Sequence, residues 1–120
     1  MSDLRMGQVE SRFADLIWEN EPISSGELVK LAEGELNWKR STTYTVLRRL
    51  CDRGIFINLD GMVSSVLSRQ DFYALQSERF VDETFDGSLP AFMAAFSNRK
   101  RLSAREIAEI RAMIDRIEEG

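Results

Sequence analysis

Histidine is missing from this sequence altogether, cysteine occurs once, at Cys51, and proline only twice. Without histidine the chain has neither the usual proton shuttle near neutral pH nor the usual activator of a serine or cysteine nucleophile. Its acids, among them Glu10, Asp15, Glu19, Glu27, Glu109 and Asp115, fall mostly on solvent-facing helix positions. With no nucleophile, base and orienter set, an enzyme is not expected. A phosphate-cradling Gly-rich loop is also absent. One cysteine cannot close an intramolecular disulfide, and without histidine no Cys/His metal constellation forms. No metal, cofactor or small-molecule ligand is therefore implied. Cys51 reads as a small buried apolar residue rather than a thiol sensor. No run of about 18 apolar residues and no charged-then-apolar leader is present. The expectation is a soluble cytoplasmic protein in a reducing compartment, with no membrane partner.

What is present is a chain of 120 residues, 43% apolar, with 16 basic and 20 acidic residues and a net charge of −4. That suffices for one compact domain, or a small domain with an assembly arm. Against the acidic balance, WKRSTTYTVLRRLCDRG (residues 38–54) carries five bases, Lys39, Arg40, Arg48, Arg49 and Arg53, and one acid, Asp52, for a local charge of +4. On a helical wheel Thr43, Val46, Leu47 and Leu50 share one arc, and Ser41, Thr45, Arg48 and Asp52 the opposite one. One face packs, and the other is free to read a partner.

Upstream, Val9, Phe13, Leu16 and Ile17 recur at helical spacing and predict a first helix from about Gly7 to Asn20, which Pro22 prevents from continuing. Ser24 and Glu27 have capping-box spacing for a second helix carrying Leu28, Val29 and Ala32, with Gly34 as its expected stop. Residues 34–37 then form a tight connection into the basic helix, giving a helix-turn-helix. After Gly54 the period changes. Ile55, Phe56, Ile57 and Leu59 run to Asp60-Gly61, a favoured hairpin turn, and residues 62–67 return as a second strand. The expected fold is mainly α: a winged helix-turn-helix with a two-stranded β wing over residues 1–68, followed by a C-terminal helical dimerisation region over residues 69–120.

In that second region Ser68 and Asp71 have cap spacing for a helix lined by Phe72, Leu75, Phe80 and Val81. Leu89, Phe92, Met93 and Phe96 form the i, i+3, i+4, i+7 face of a fifth helix. Ser103 and Glu106 make a capping box for the last, with Leu102 and Ile107 in staple positions. Ile107, Ile110, Ile114 and Ile117 then form a heptad seam. Two heptads cannot hold an isolated coiled coil, so the seam must be buried. Exchange of these faces between two copies is the economical solution, with Phe92, Phe96, Ile107, Ile110, Ile114 and Ile117 as contacts.

A DNA-reading helix needs short polar side chains at its N-terminal end and bases around them. Ser41, Thr42, Tyr44, Thr45 and Arg48 meet the first need, and Lys39, Arg40 and Arg49 the second. The segments GQVESRFADLIW, NWKRSTTYTVLRRLCDRG and LSAREIAEI resemble the BlaI/MecI penicillinase-repressor family, in order and with matching spacing from about Gly7 to Ile117. Trp38, Thr42, Thr45, Leu47, Arg49, Leu50 and Gly54 are the most specific part. The resemblance implies a bacterial dimeric repressor that binds an inverted-repeat operator, often with TACA-like half-sites, through the third helix.

Three departures qualify it. Members commonly carry Arg after the wing-tip Gly and an aromatic in the second strand, where this chain has Met62 and then Ser64, Ser65 and Val66. The Cys-rich end of copper-responsive members is replaced by Ile117-Glu118-Glu119-Gly120, so copper sensing of that kind is not expected. Members responding to β-lactams are inactivated by a sensor protease cutting an Asn-Phe bond, and the matching bond here is Ala95-Phe96. The i+7 relation of Phe96 to Leu89 assigns it first to a packing or dimer face. A winged-helix protein-interaction module that has lost DNA binding is the alternative reading.

Overall fold

The computed structural model describes residues 6–119. Their order is α1 (Gln8–Asn20), β1 (Ile23–Ser24), α2 (Ser25–Leu36), α3 (Arg40–Asp52), β2 (Phe56–Leu59), β3 (Met62–Ser65), α4 (Arg69–Phe85), α5 (Leu89–Arg99) and α6 (Ala104–Glu119). Two compact units are formed, dividing between Arg79 and Phe80 within α4.

The first unit is a winged helix. Its core gathers Phe13, Ala14 and Ile17 of α1, Leu28 and Ala32 of α2, Val46, Leu47 and Leu50 of α3, and Ile55, Phe56 and Val63 of the hairpin, closed by Phe72 of α4. The hairpin turns at Asp60 and Gly61 with φ of 52° and 86°, the paired left-handed geometry that matches strand twist. The wing is not a simple two-stranded hairpin. Ile23 and Ser24 add a short strand against Val63 and Met62, giving the order β1-β3-β2. A two-residue strand is too short to produce a period in sequence, and it forms because buried Ile23 closes the core beside Val63.

The second helix also ends later than expected. It passes through Gly34 to Leu36, and Asn37 terminates it in the left-handed region (φ 56°), with the Asn37 N–H donating to the Glu33 carbonyl at 3.1 Å and the Trp38 N–H to the Ala32 carbonyl at 3.3 Å. Asparagine tolerates that conformation. The added turn lets Leu36 pack against the core. Trp38, expected inside the third helix, precedes it and stacks against Phe13 at 5.0 Å between ring centroids.

Trp18 is the other aromatic hub. Its ring lies 5.3 Å from Phe56 and 5.7 Å from Phe72, and its Nε1–H donates to the Leu67 carbonyl at 3.0 Å. Arg69 crosses the same ring and reaches Asp15 at 3.0 Å and Glu19 at 3.3 Å. The first turn of α4 is thereby clasped to α1.

In the second unit Phe80, Phe85, Phe92 and Phe96 form a chain of ring contacts with centroids 5.6–6.1 Å apart. A groove of about 330 Å³ lies between α5 and α6, lined by Phe92, Met93, Phe96, Leu102, Glu106 and Ile110. Yet none of the described residues from Phe80 onward is buried. Ile114 is 48% and Ile117 75% exposed.

The capping box of α6 is complete. Glu106 N–H donates to Ser103 Oγ at 3.1 Å, and Ser103 N–H donates to Glu106 Oε1 at 3.1 Å. The backbone bond from Ser103, then its side chain, holds the Glu106 carboxyl below its ordinary value of 4.5. A carboxylate whose folded pKa is depressed stabilises fully above its unfolded pKa and loses that contribution as pH falls through the folded value. Acidification through that lowered folded pKa should therefore fray the first turn of α6. At neutral pH, Ser103→Ala should cost about 1 kcal/mol. Carboxyl chemical shifts of Glu106 followed through a pH titration check the first expectation, and thermal melts of the variant check the second.

Candidate nucleic-acid interface

The helix α3 is held by its apolar arc. Thr43, Val46, Leu47 and Leu50 are all buried, while Ser41, Thr42, Thr45 and Arg48 are exposed. The division follows the helical period expected for 38–54. Exposed Lys39 and Arg40 sit at the N-terminal end, where Lys39 is the cap residue and makes no side-chain cap bond. Free N–H groups at that end favour an anion, and two cations beside them add to the attraction. Among the described residues, Lys39, Arg40 and Arg48 form no carboxylate ion pair. Asp52 lies at the opposite end of the same exposed arc, so the anion-attracting part of α3 is its first two turns.

Not every residue expected at the interface is uncommitted. Thr45 Oγ1 donates back to the Ser41 carbonyl at 2.9 Å, so its hydroxyl proton is already used within the helix. Tyr44 is half-buried and its hydroxyl donates to Ser25 Oγ at 3.1 Å, while Arg40 lies over its ring at 5.3 Å. The tyrosine therefore acts first as a strut between α3 and the start of α2. Arg49 is turned toward Glu10 of α1, with Nη1 3.9 Å from Oε2.

Ser25 and Glu21, unremarkable in the sequence, set the wing. Ser25 N–H donates to the Gly61 carbonyl at 2.8 Å, so one residue ties the wing turn to Tyr44 and hence to α3. Glu21 Oε1 accepts from the Ser65 N–H at 2.8 Å and from its hydroxyl at 2.7 Å. These contacts join positions 19 to 44 residues apart, and no local pattern signals them. The wing itself carries no cation between residues 55 and 67, and its only charge is Asp60. Ile57, Leu59, Met62 and Val66 are exposed on it.

Cys51 is partly buried. Burial, and then Asp52, push its thiol pKa up, which leaves less thiolate and opposes reactivity. The Ala95-Phe96 bond lies inside α5 with Phe96 45% exposed, and the Phe96 carbonyl accepts from Lys100 N–H at 2.9 Å. Among the described residues no helix is long and apolar enough to cross a membrane.

Comparison with known proteins agrees with this architecture. The penicillinase repressor of Bacillus licheniformis is 23% identical over 115 residues, covering 92% of this chain and 90% of the relative. The methicillin resistance regulatory protein MecI of Staphylococcus aureus is 21% identical over 115 residues, covering 92% and 94% respectively. At such identity the kinship rests on coverage of the whole architecture, not on likeness of single side chains. The family profile of the penicillinase repressor matches residues 6–116. The chain belongs to the penicillinase repressor family.

Proposed function

We propose that this protein is a dimeric transcriptional repressor that places one α3 helix from each subunit in the major groove of an inverted-repeat operator. The observation that carries the reading is the two-sided α3: its apolar arc is fully buried and its polar arc, with Lys39 and Arg40 at the leading end, is exposed. Two-fold symmetry then sets half-sites one or more helical turns apart. Ser41, Thr42, Thr45 and Arg48 face base edges, and Lys39, Arg40 and Arg49 face phosphates. Repression follows from occupying the promoter. One relative is named as a penicillinase repressor and the other as a methicillin resistance regulatory protein, which supports a regulatory role here.

Dimerisation is supported by the second unit, in which no described apolar side chain is more than partly buried within one chain. Phe92, Phe96, Ile107, Ile110, Ile114 and Ile117 supply the shared face. Should a sensor protease cut Ala95-Phe96, all of this face except Phe92 would be severed from the winged helix and bivalent binding lost.

The two kinds of contact make different predictions. Arg48→Ala is expected to lose about 1–3 kcal/mol of discrimination between operator and altered half-sites. Lys39→Ala should instead weaken binding to all sequences and flatten the log–log salt slope by roughly 0.9. Fluorescence anisotropy with labelled duplexes separates them. Unchanged affinity at low salt in both variants would show that another surface binds DNA. The apolar, cation-free wing favours a second reading, a module that binds another protein through its winged helix. Weak, sequence-blind binding to DNA with little salt dependence would support that module instead.

A further inference from the structure

Glu10 of α1 stands between two arginines of α3. Its Oε2 is 3.9 Å from Arg49 Nη1 and 3.6 Å from Arg53 Nη1. That oxygen is buried but accepts no hydrogen bond from the protein. The attraction therefore acts through space, at separations longer than a charge-assisted hydrogen bond. The two guanidinium groups are not equivalent. Arg53 is 23% exposed, whereas Arg49 is 50% exposed and farther from the carboxylate. Arg49 follows Thr42 and Thr45 along one edge of the exposed arc of α3, at helical spacings of i, i+3 and i+7.

We propose that Glu10 is a positioning residue that competes with DNA phosphate for Arg49. In the free protein the carboxylate draws this guanidinium toward α1. On DNA, Arg49 transfers to a backbone phosphate while Arg53 remains beside Glu10 and keeps the partly buried carboxylate paired. The proposal rests on α3 being the DNA-binding helix and adds a limit on how strongly that helix adheres. A phosphate contact carries no sequence information, so competition for Arg49 weakens binding to every duplex alike. Base readout by Thr45 and Arg48 is left as the larger share of the remaining affinity, and Glu10 thereby restrains adhesion to non-operator DNA.

The test is a double-mutant cycle on the full chain, using the DNA upstream of its own gene and a shuffled duplex across a salt series. Glu10→Gln keeps the side-chain shape and should tighten binding to both duplexes roughly two- to fivefold, the range of one partly exposed ion pair. Arg49→Ala should flatten the salt slope by roughly 0.9 and erase the gain from Glu10→Gln. A gain that persists without Arg49 overturns the proposal, because it would then be a diffuse charge effect. So does weaker binding by a Glu10→Gln protein that melts at the wild-type temperature. Should that variant lose stability, Glu10→Asp retracts the carboxylate by one methylene. A smaller gain dependent on Arg49 then supports the proposal, and no gain overturns it. A wild-type protein lacking any salt dependence refutes the DNA reading itself, whereas a steep wild-type slope with an additive cycle refutes only the role of Glu10.

Discussion

Ile114→Glu combined with Ile117→Glu is expected to leave each chain folded and to lower operator affinity by about 10²–10⁴-fold. Both side chains are exposed in the single chain, at 48% and 75%, so charging them removes little packing within it. They lie on the seam of α6, and in a dimer a charge there would be buried without a counter-ion, at a cost that displaces assembly. A monomer retains its α3 helix but loses the second, tethered one. Binding to an isolated half-site should therefore change little. Sedimentation velocity reports the assembly state, and anisotropy with full and half operators reports the affinity. A variant that remains dimeric would move the dimer face elsewhere in α4 to α6.

Phe72→Ala should produce the largest loss of stability among single replacements in α4. Phe72 is completely buried and closes the core from the first turn of α4, against Trp18. Truncating a buried phenylalanine costs about 3–5 kcal/mol, through lost transfer energy and the cavity left behind. For a domain of this size that corresponds to a fall in melting temperature on the order of 20 °C. The consequence reaches function because Phe72 and the Arg69 clasp are what attach the start of α4 to the winged helix. Leu75→Ala, three residues along on an exposed position, should cost far less. Similar melts for the two variants would contradict the assignment of Phe72 as the closing residue.

What could be read in advance was whatever has a period or a local cap. The buried set Thr43, Val46, Leu47 and Leu50 follows from 3.6-residue spacing alone. Asp60-Gly61 announces its turn because few pairs accept positive φ twice. Ser103 and Glu106 announce α6 because both halves of the capping box lie three residues apart. The two-residue strand β1 was not legible, since pairing with β3 depends on a register set some forty residues away. The end of α2 departs from its local signal for a related reason. Gly34 is the stronger local stop, but burial of Leu36 outweighs it and hands termination to Asn37.

The α3 face was legible as a list of residue types but not as a set of commitments. Tyr44 and Arg49 have the right chemistry for DNA, yet each has a partner within the fold, Ser25 for one and Glu10 for the other. Neither partner is close in sequence. The exposed residues of the first two turns that make no ion pair with a described residue, Lys39, Arg40, Ser41 and Thr42, together with Thr45 and Arg48, therefore form the most direct candidate for a reading surface. With no cation on the wing, on the proposed function that surface would also supply most of the attraction to phosphate.

On the proposed function, α3 reads DNA by sequence and holds it by charge. Affinity of the wild-type protein for the DNA upstream of its own gene and for a shuffled duplex of equal length, measured from low to physiological salt, tests it most directly. A steep negative slope is expected on both duplexes, with a preference for the upstream DNA of about 10³-fold or more at physiological salt. Equal, weak and salt-insensitive binding to the two duplexes would contradict it.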